Sequence, residues 1–363
     1  LTRQDVMLPD ELERRQIFHT LKRWSSYTAW ARILDFYQTW ADAMERTAAA
    51  IDELPDGSPA AIHCEKVAIG TGSHVQAQIG LAHCDEGVSR LRAGDKRVFK
   101  YDVNGEFVMA RRPLDFWGQF MGREVAQNGW PLQPELIPHW DELEQARIEL
   151  EAAWSECSPW IIESDDLDDP APAIYGVWLQ EWLPRMAFPS PLPDVPPLER
   201  TTVVTGEEVP FSGIWEPTEL VKKNIVQLFS APTPAPMTPV VGCMNYLHGG
   251  SEAPRAKQET DTESLRANVR WRLVWRDDRY EDGRVPAEED TYRFLAPAVR
   301  EQSVTLVPRD EDALLSAPSG AVAVKAGVWA AEHELHLRVV MALGDVLPDQ
   351  DGRAIQWVYV GRA

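Results

Sequence analysis

The decapeptide GEEVPFSGIW, Gly206 to Trp215, returns in altered form as GAVAVKAGVW, Gly320 to Trp329, with Gly, a small residue, Gly, a β-branched residue and Trp in register. A gapless recurrence limits the second half of the chain to one supersecondary unit used twice. Each copy also continues in the same order. GSEAP, Gly250 to Pro254, precedes a strand-like run holding Trp271, and GDVLP, Gly344 to Pro348, precedes one holding Trp357. The connections are longer in the first copy, whose insert carries APTPAPMTP, Ala231 to Pro239. Glycine beside a packed indole allows a close backbone approach, so Trp215 and Trp329 are expected in the cores of two related β units packed on each other. The competing role is an aromatic platform for a carbohydrate, which would leave the indoles open.

Periodicity around the repeat agrees with strands. Val269, Trp271, Leu273 and Trp275 alternate with Arg270, Arg272, Val274 and Arg276, the pattern of a strand with one buried face. Leu335, Leu337, Val339, Met341 and Leu343 alternate likewise, as do Ile355, Trp357 and Tyr359. The first half has the helical period instead. Trp30, Ile33, Leu34, Tyr37, Trp40, Ala41 and Met44 form one stripe, as expected of an amphipathic helix. A second stripe runs from Trp140 through Leu143, Leu150 and Trp154 to Cys157, and a third uses Ile174, Trp178, Leu179, Trp182, Leu183 and Met186. Shorter helices are expected at 11–25, 73–92 and 113–127. The Asn-Gly pair inside VFKYDVNGEFVMA, residues 98–110, predicts a short hairpin.

Between the two regimes lies FPSPLPDVPPLER, Phe188 to Arg200, with five prolines. Proline lacks an N–H and fixes its own φ, so this segment should run extended. The expected class is therefore α+β: an all-helical domain over 1–187, a linker over 188–200, and a mostly β domain over 201–363 whose repeat covers 206–275 and 320–360. At 363 residues the chain is long enough for two cores, and its 15 tryptophans predict large aromatic ones.

The net charge of −21 argues against a nucleic-acid ligand, whose phosphates demand a basic partner. A basic protein partner is favoured instead. The acid excess is concentrated in residues 101–200, which hold 19 acids against 6 bases. Its densest point is ESDDLDD, where Glu163, Asp165, Asp166, Asp168 and Asp169 place five carboxylates in seven residues. A solvated loop is the ordinary explanation; an electrostatic contact that accelerates the approach of a basic protein is the functional one. The EF-hand loop's Gly and terminal Glu are missing, which argues against calcium. The second charge-rich stretch, Trp275 to Tyr292, mixes both signs and predicts mutual pairing.

Catalytic and metal motifs do not assemble. HELH, His333 to His336, is one residue short of HExxH, and on a strand its imidazoles would point to opposite faces. The dipeptides His63-Cys64 and His83-Cys84 match no zinc spacing, and the four cysteines form no CxxC pair. A reduced compartment fits them best. GTGSH, Gly70 to His74, lacks the preceding strand and the Lys-Ser/Thr of a phosphate loop and is expected to be a helix entry capped by Ser73. Ser212 lacks the flanking glycines of a nucleophile elbow. No run approaches the roughly 18 apolar residues of a membrane span, and no secretory leader is visible. Neither an enzyme nor a bound cofactor or metal is expected.

The combination SGIWEP, CMNYLHGGSEAP and VRWRLVWRDDRYEDGRVPAEEDTY, behind a Trp-rich helical half, resembles the large two-part immunity proteins encoded beside type VI secretion and polymorphic toxins. The likeness is most specific over about 206–292. It implies a cytoplasmic protein that binds and blocks a cognate toxin and has no catalytic residues. Within that group the chain is similar to proteins opposing nuclease toxins of the restriction-endonuclease fold, whose basic surface an acidic inhibitor would occupy. On that implication the candidate toxin contact is Glu163, Asp165, Asp166, Asp168 and Asp169. The alternative is a carbohydrate-binding or hydrolytic protein using the paired Gly-x-Trp units. The second copy reads AGVWAAEHE and lacks the Glu-Pro of SGIWEP, so Glu216 and Pro217 are the part of the motif freest to do something else.

Overall fold

The computed structural model describes residues 7–101, 103–127, 132–164, 171–173, 175–197, 199–220, 240–260, 264–295, 316–332, 334–350 and 352–361. Among the described residues six helices of eight residues or more come first: α1 (Glu11–Trp24), α2 (Tyr27–Asp52), α3 (Pro59–Lys66), α4 (Thr71–Arg92), α5 (Glu106–Gln127) and α6 (Trp140–Ile161). Ten strands follow: β1 (Thr202–Val204), β2 (Gly213–Leu220), β3 (Asn245–Leu247), β4 (Ala256–Glu259), β5 (Ser264–Ala267), β6 (Val269–Arg276), β7 (Ser316–Pro318), β8 (Gly327–Ala331), β9 (Glu334–Met341) and β10 (Gln356–Gly361). The helical first half and strand-rich second half are as expected. By contact the chain divides into two units, each drawn from several stretches. One comprises Leu1–Phe36, His83–Met109 and Glu149–Ala298; the other comprises Tyr37–Ala82, Ala110–Ile148 and Val299–Ala363.

In the first unit, α1 begins with a reciprocal capping box. The Asp10 carboxylate accepts from the Glu13 amide and the Glu13 carboxylate from the Asp10 amide, both at 2.8 Å. Tryptophans then build the core. Trp24 stacks against Trp178 with ring centroids 5.4 Å apart, and Trp30 lies on Phe107 at 4.0 Å with Trp154 edge-on at 5.4 Å. The third apolar stripe is not one continuous helix. It is a single α turn, Tyr175–Val177, then a π turn, Trp178–Trp182, then a 3₁₀ turn, Leu183–Arg185. Pro184, with no N–H to give, sits where a longer helix would need one.

Among the described residues of 98–110 there is no hairpin, and a helical corner stands in its place. Lys96–Phe99 is a 3₁₀ turn, Asn104 has φ +47°, and α5 starts at Glu106. The Asn-Gly pair does turn the chain, but a Cβ on Gly105 would lie 2.6 Å from the carbonyls of Arg97 and Lys100. The turn therefore folds down onto the preceding residues, and Val98, Phe99 and Phe107 enter the helical core instead of pairing as strands. The Pro-rich segment 188–200 has no helix or strand among its described residues. It is held to the first unit, since the Glu199 amide donates to Leu273 O at 2.9 Å and the Arg15 guanidinium to the carbonyls of Leu192 and Pro193.

The first unit contains the sheet β1-β6-β2-β3 and the second contains β7-β10-β8-β9, one four-stranded order used twice. The equivalence extends to single bonds. Trp215 Nε1 donates to Phe211 O and Trp329 Nε1 to Lys325 O, both at 3.2 Å and both four residues back. Trp271 Nε1 donates to Pro254 O at 2.8 Å and Trp357 Nε1 to Pro348 O at 2.9 Å. Ile214 opposes Tyr246 as Val328 opposes Val340, and Trp215 opposes Leu273 as Trp329 opposes Tyr359. Even the bulge recurs, since pairing skips Val274 in one copy and Val360 in the other. That bulge changes the alternation expected for β6: Val274 is buried and Trp275 only half-buried.

Each copy buries its own indoles. Trp215 shares a cluster with Trp271 and Leu273, whereas Trp329 shares one with Trp357 and Leu347. The indoles therefore do not depend on two β units packing on each other, as the sequence suggested. Gly213 is required by contact: a Cβ there would sit 2.2 Å from the carbonyl oxygen of Trp275 on the paired strand.

Candidate functional site

Trp215 and Trp329 are both 0% exposed and hydrogen-bonded to backbone, so neither presents a face to a sugar. Glu216 is equally buried and is gripped by Arg14 of α1 through two parallel bonds, Nε to Oε1 at 2.7 Å and Nη2 to Oε2 at 2.8 Å. Pro217 O accepts from the Val241 amide at 2.8 Å. The dipeptide missing from the second copy thus fastens the first sheet to a helix. In the second copy Ala330 stands where Glu216 does.

The mixed-charge stretch folds into a buried polar cluster. Arg279 donates to Asp277 through Nε at 2.8 Å and Nη2 at 2.7 Å, and also reaches Lys22 O at 2.8 Å and Ser25 O at 3.1 Å past the end of α1. Tyr246 Oη gives Asp277 a further bond at 2.9 Å, and Lys96 Nζ donates to Arg279 O at 2.8 Å. Burial alone would raise the Asp277 carboxyl, but the charge and hydrogen bonds of Arg279, with Lys96 beside it, hold it below the usual carboxylate range. Glu289 completes the cluster. Its Oε2 accepts from the amide and hydroxyl of Thr28 at the start of α2, at 3.1 and 2.8 Å, and its Oε1 accepts from Tyr280 Oη. The expected mutual pairing is present, and it lies in the interior of the unit.

Of the acidic candidates, Glu163 is half-buried; its Oε2 accepts from the Tyr101 amide at 2.8 Å and its own amide donates to Phe99 O at 2.9 Å. Asp165, Asp166, Asp168 and Asp169 lie outside the described residues. Among the described residues no His, Cys, Asp and Glu group has metal-binding geometry. His63 Nε2 accepts from the Gln133 amide at 3.1 Å, and His83 Nδ1 lies 2.7 Å from Glu106 Oε2. All four cysteines are buried and free. His333 is outside the described residues; the rest of HELH lies on β9. Ser73 is not the cap of α4. It stands inside the first turn with its hydroxyl donating to Ala68 O at 2.7 Å, while Gly70 O accepts from the Ser73 and His74 amides. Ser212 Oγ accepts from the Gly249 amide at 2.9 Å.

One surface feature had no signal in either copy read alone. Val322, Val324, Val340, Leu343 and Val346 of the second β module are between 53% and 70% exposed. Val322 and Val346 face each other across an isolated antiparallel bridge; the same bridge in the first module joins Glu208 to Glu252. The bond from Gly344 N to Ala323 O, 2.9 Å long, brings Leu343 beside Val324. Val340 matches Tyr246, which in the first module is buried against Phe99. A module with exposed valines where its duplicate has exposed carboxylates presents an apolar face. Aligning the two copies through their glycines would have exposed this contrast.

Among the described residues no helix is long and apolar enough to cross a membrane. No curated protein and no solved structure matches the chain significantly. Residues 8–172 match the family model described as Immunity protein 71, and residues 195–293 match that described as Immunity protein 72. The second β module, from β7 to β10, falls outside both ranges. The first range takes in α1 to α6 and the second takes in β1 to β6, and the chain is therefore a two-domain immunity protein that joins an Immunity protein 71 region to an Immunity protein 72 region.

Proposed function

We propose that this protein neutralises a cognate toxin by binding and occluding it, without turnover, and that the toxin is a nuclease of a type VI secretion or related polymorphic-toxin system met in the cytoplasm. The pair of immunity-family matches carries the neutralising role. The nuclease assignment is supported by the acid surplus. A nuclease needs a basic surface to hold nucleic acid, and an inhibitor with 19 acids against 6 bases over residues 101–200 can occupy it in place of phosphate. The contact is assigned to Glu163, Asp165, Asp166, Asp168 and Asp169. Four of its five carboxylates are aspartates, and the Glu163 carboxylate also accepts from the Tyr101 amide.

A second reading of the interface is favoured by the exposed valines of the second β module, which would be covered by an apolar face of the toxin. Both readings are tested by co-expressing the protein with the product of the neighbouring gene and measuring affinity against salt concentration. Replacing Asp165, Asp166, Asp168 and Asp169 together by Asn should weaken binding and flatten its salt dependence. If affinity and salt dependence are unchanged, while Val322→Ser with Val346→Ser releases the toxin, the apolar face is the interface and the electrostatic reading fails. Failure to recover any toxin with the wild-type chain would overturn neutralisation by binding.

A further inference from the structure

The two β modules share one scaffold, and the first shows what the end of its third strand holds. There β3 is covered by the corner that precedes α5. Phe99, fully buried, meets the Tyr246 ring edge-on with centroids 6.1 Å apart. The next residue, Lys100, is also buried, and its Nζ donates to Gly249 O at 3.3 Å. An aromatic side chain followed by a lysine therefore caps β3, the ring on the strand and the cation on the turn that leaves it.

The second module repeats the receiving surface without the cap. Val340 of β9 opposes Val328 as Tyr246 opposes Ile214. The turn that follows is kept bond for bond. Gly344 has φ +94° and its amide donates to Ala323 O at 2.9 Å; Gly250 has φ +81° and its amide donates to Val209 O at 2.8 Å. Leu343 thus stands where Gly249 does, and its carbonyl receives no donor among the described residues. Val340, Leu343 and the adjoining Val324 are exposed. Asp345 stands where Ser251 does and is exposed, with its Oδ2 accepting from the Ala342 amide at 2.8 Å. A carboxylate two residues from the carbonyl equivalent to the lysine's acceptor favours a cation at that place. The cations nearest in sequence are turned to other groups: Lys325 Nζ lies over the Tyr359 ring at 4.9 Å, and Arg338 Nη2 lies 3.4 Å from where a Cβ on Gly72 would be.

We propose that the end of β9 is a docking site for a protein segment that presents an aromatic side chain followed by a lysine or arginine, with the ring on Val340 and Leu343 and the cation at the Leu343 carbonyl and Asp345. A second copy of this chain cannot supply the pair from its own Phe99 and Lys100, because both are buried within the first unit. The occupant is a different protein, recognised by the chemistry that the first module satisfies internally. The site is measured on the isolated chain with peptides, so its failure leaves the neutralising role in place. The probe is the protein's own capping sequence, acetyl-KRVFKY-amide, residues 96–101, added to the full nitrogen-15-labelled chain. Amide shifts should move at 340–345. Phe99→Ala in the peptide should weaken binding about tenfold or more, and Lys100→Glu about fivefold. A rearranged peptide of the same composition, acetyl-KKRVFY-amide, has no cation after either ring and should also bind about fivefold more weakly. Val340→Thr with Leu343→Ser in the protein should abolish binding and leave the melting transition in place, because both side chains are exposed. Asp345→Lys should reject KRVFKY and accept the peptide carrying Lys100→Glu, a reversal that loss of folding cannot produce. Shifts confined to another surface, equal binding of the rearranged peptide, or an unchanged preference in Asp345→Lys would overturn the proposal.

Discussion

Arg279→Met offers the sharpest test of how the first unit is held together. The wild-type guanidinium spans the Asp277 carboxylate and the carbonyls of Lys22 and Ser25, so its removal leaves a fully buried carboxylate with the Tyr246 hydroxyl, the backbone amide of residue 279 at 3.4 Å and Lys96 Nζ at 3.7 Å. Breaking a buried pair from one side costs about 3–5 kcal/mol, because the remaining charge stays desolvated. The folding constant should fall by about two to three and a half powers of ten, read from the midpoint of urea unfolding. Asp277→Asn in the same background removes the stranded charge and should recover at least about 1.5 kcal/mol relative to additivity in a double-mutant cycle.

The pH dependence has a definite sign. In the wild type the Asp277 pKa is depressed on folding, so its stabilising contribution is present above the unfolded carboxylate value and is lost as pH falls through the folded one. Without Arg279 that carboxyl is raised by burial, and protonation on acidification relieves the variant. The gap between wild type and variant should therefore narrow from neutral pH downwards. A loss below about 1 kcal/mol, the level of an exposed pair, or strictly additive effects in the cycle, would refute the buried-pair account.

Three further outcomes follow from the same geometry. Burial, with Arg23 and Lys22 nearby, lowers the His19 pKa to about 4, so the unfolded chain takes up a proton first and stability should fall from its ordinary value of 6.5 down to about 4; His19→Phe should flatten that part of a thermal-melt series. Gly213→Ala drives a methyl into the Trp275 carbonyl and should cost about 1–3 kcal/mol in urea unfolding, whereas a neutral result would mean that β2 and β6 can part there freely. Burial pushes up the thiols of Cys64, Cys84, Cys157 and Cys243. Iodoacetamide should label them only as the chain unfolds, as counted by mass spectrometry.

Much of the fold was legible in the residues because its signals are local. The Trp30 stripe is one face of α2, and the residues that recur between copies, Gly213 with Gly327 and Trp215 with Trp329, hold the same ladder positions. The errors have a common form. Asn104-Gly105 read as a hairpin because a turn signal does not say what its flanks will pack against, and here they enter a helical core. The stripe ending at Met186 overlooked Pro184. The site was less legible. Charge runs look alike in a sequence whether they are solvated or buried, so Asp277, Arg279 and Glu289 gave no sign of being interior.

The sequence by itself determined that a β module occurs twice, because its requirements lie within each copy: a glycine where strands nearly touch, an indole bonded four residues back, and a second Trp closing on a proline carbonyl. Only the tertiary structure decided what each copy does with its outer positions. Glu216 is paired to α1 where its counterpart is Ala330, and Tyr246 is covered where Val340 is open. Those differences depend on which distant segment comes to rest on a face, and neither spacing nor composition specifies that contact.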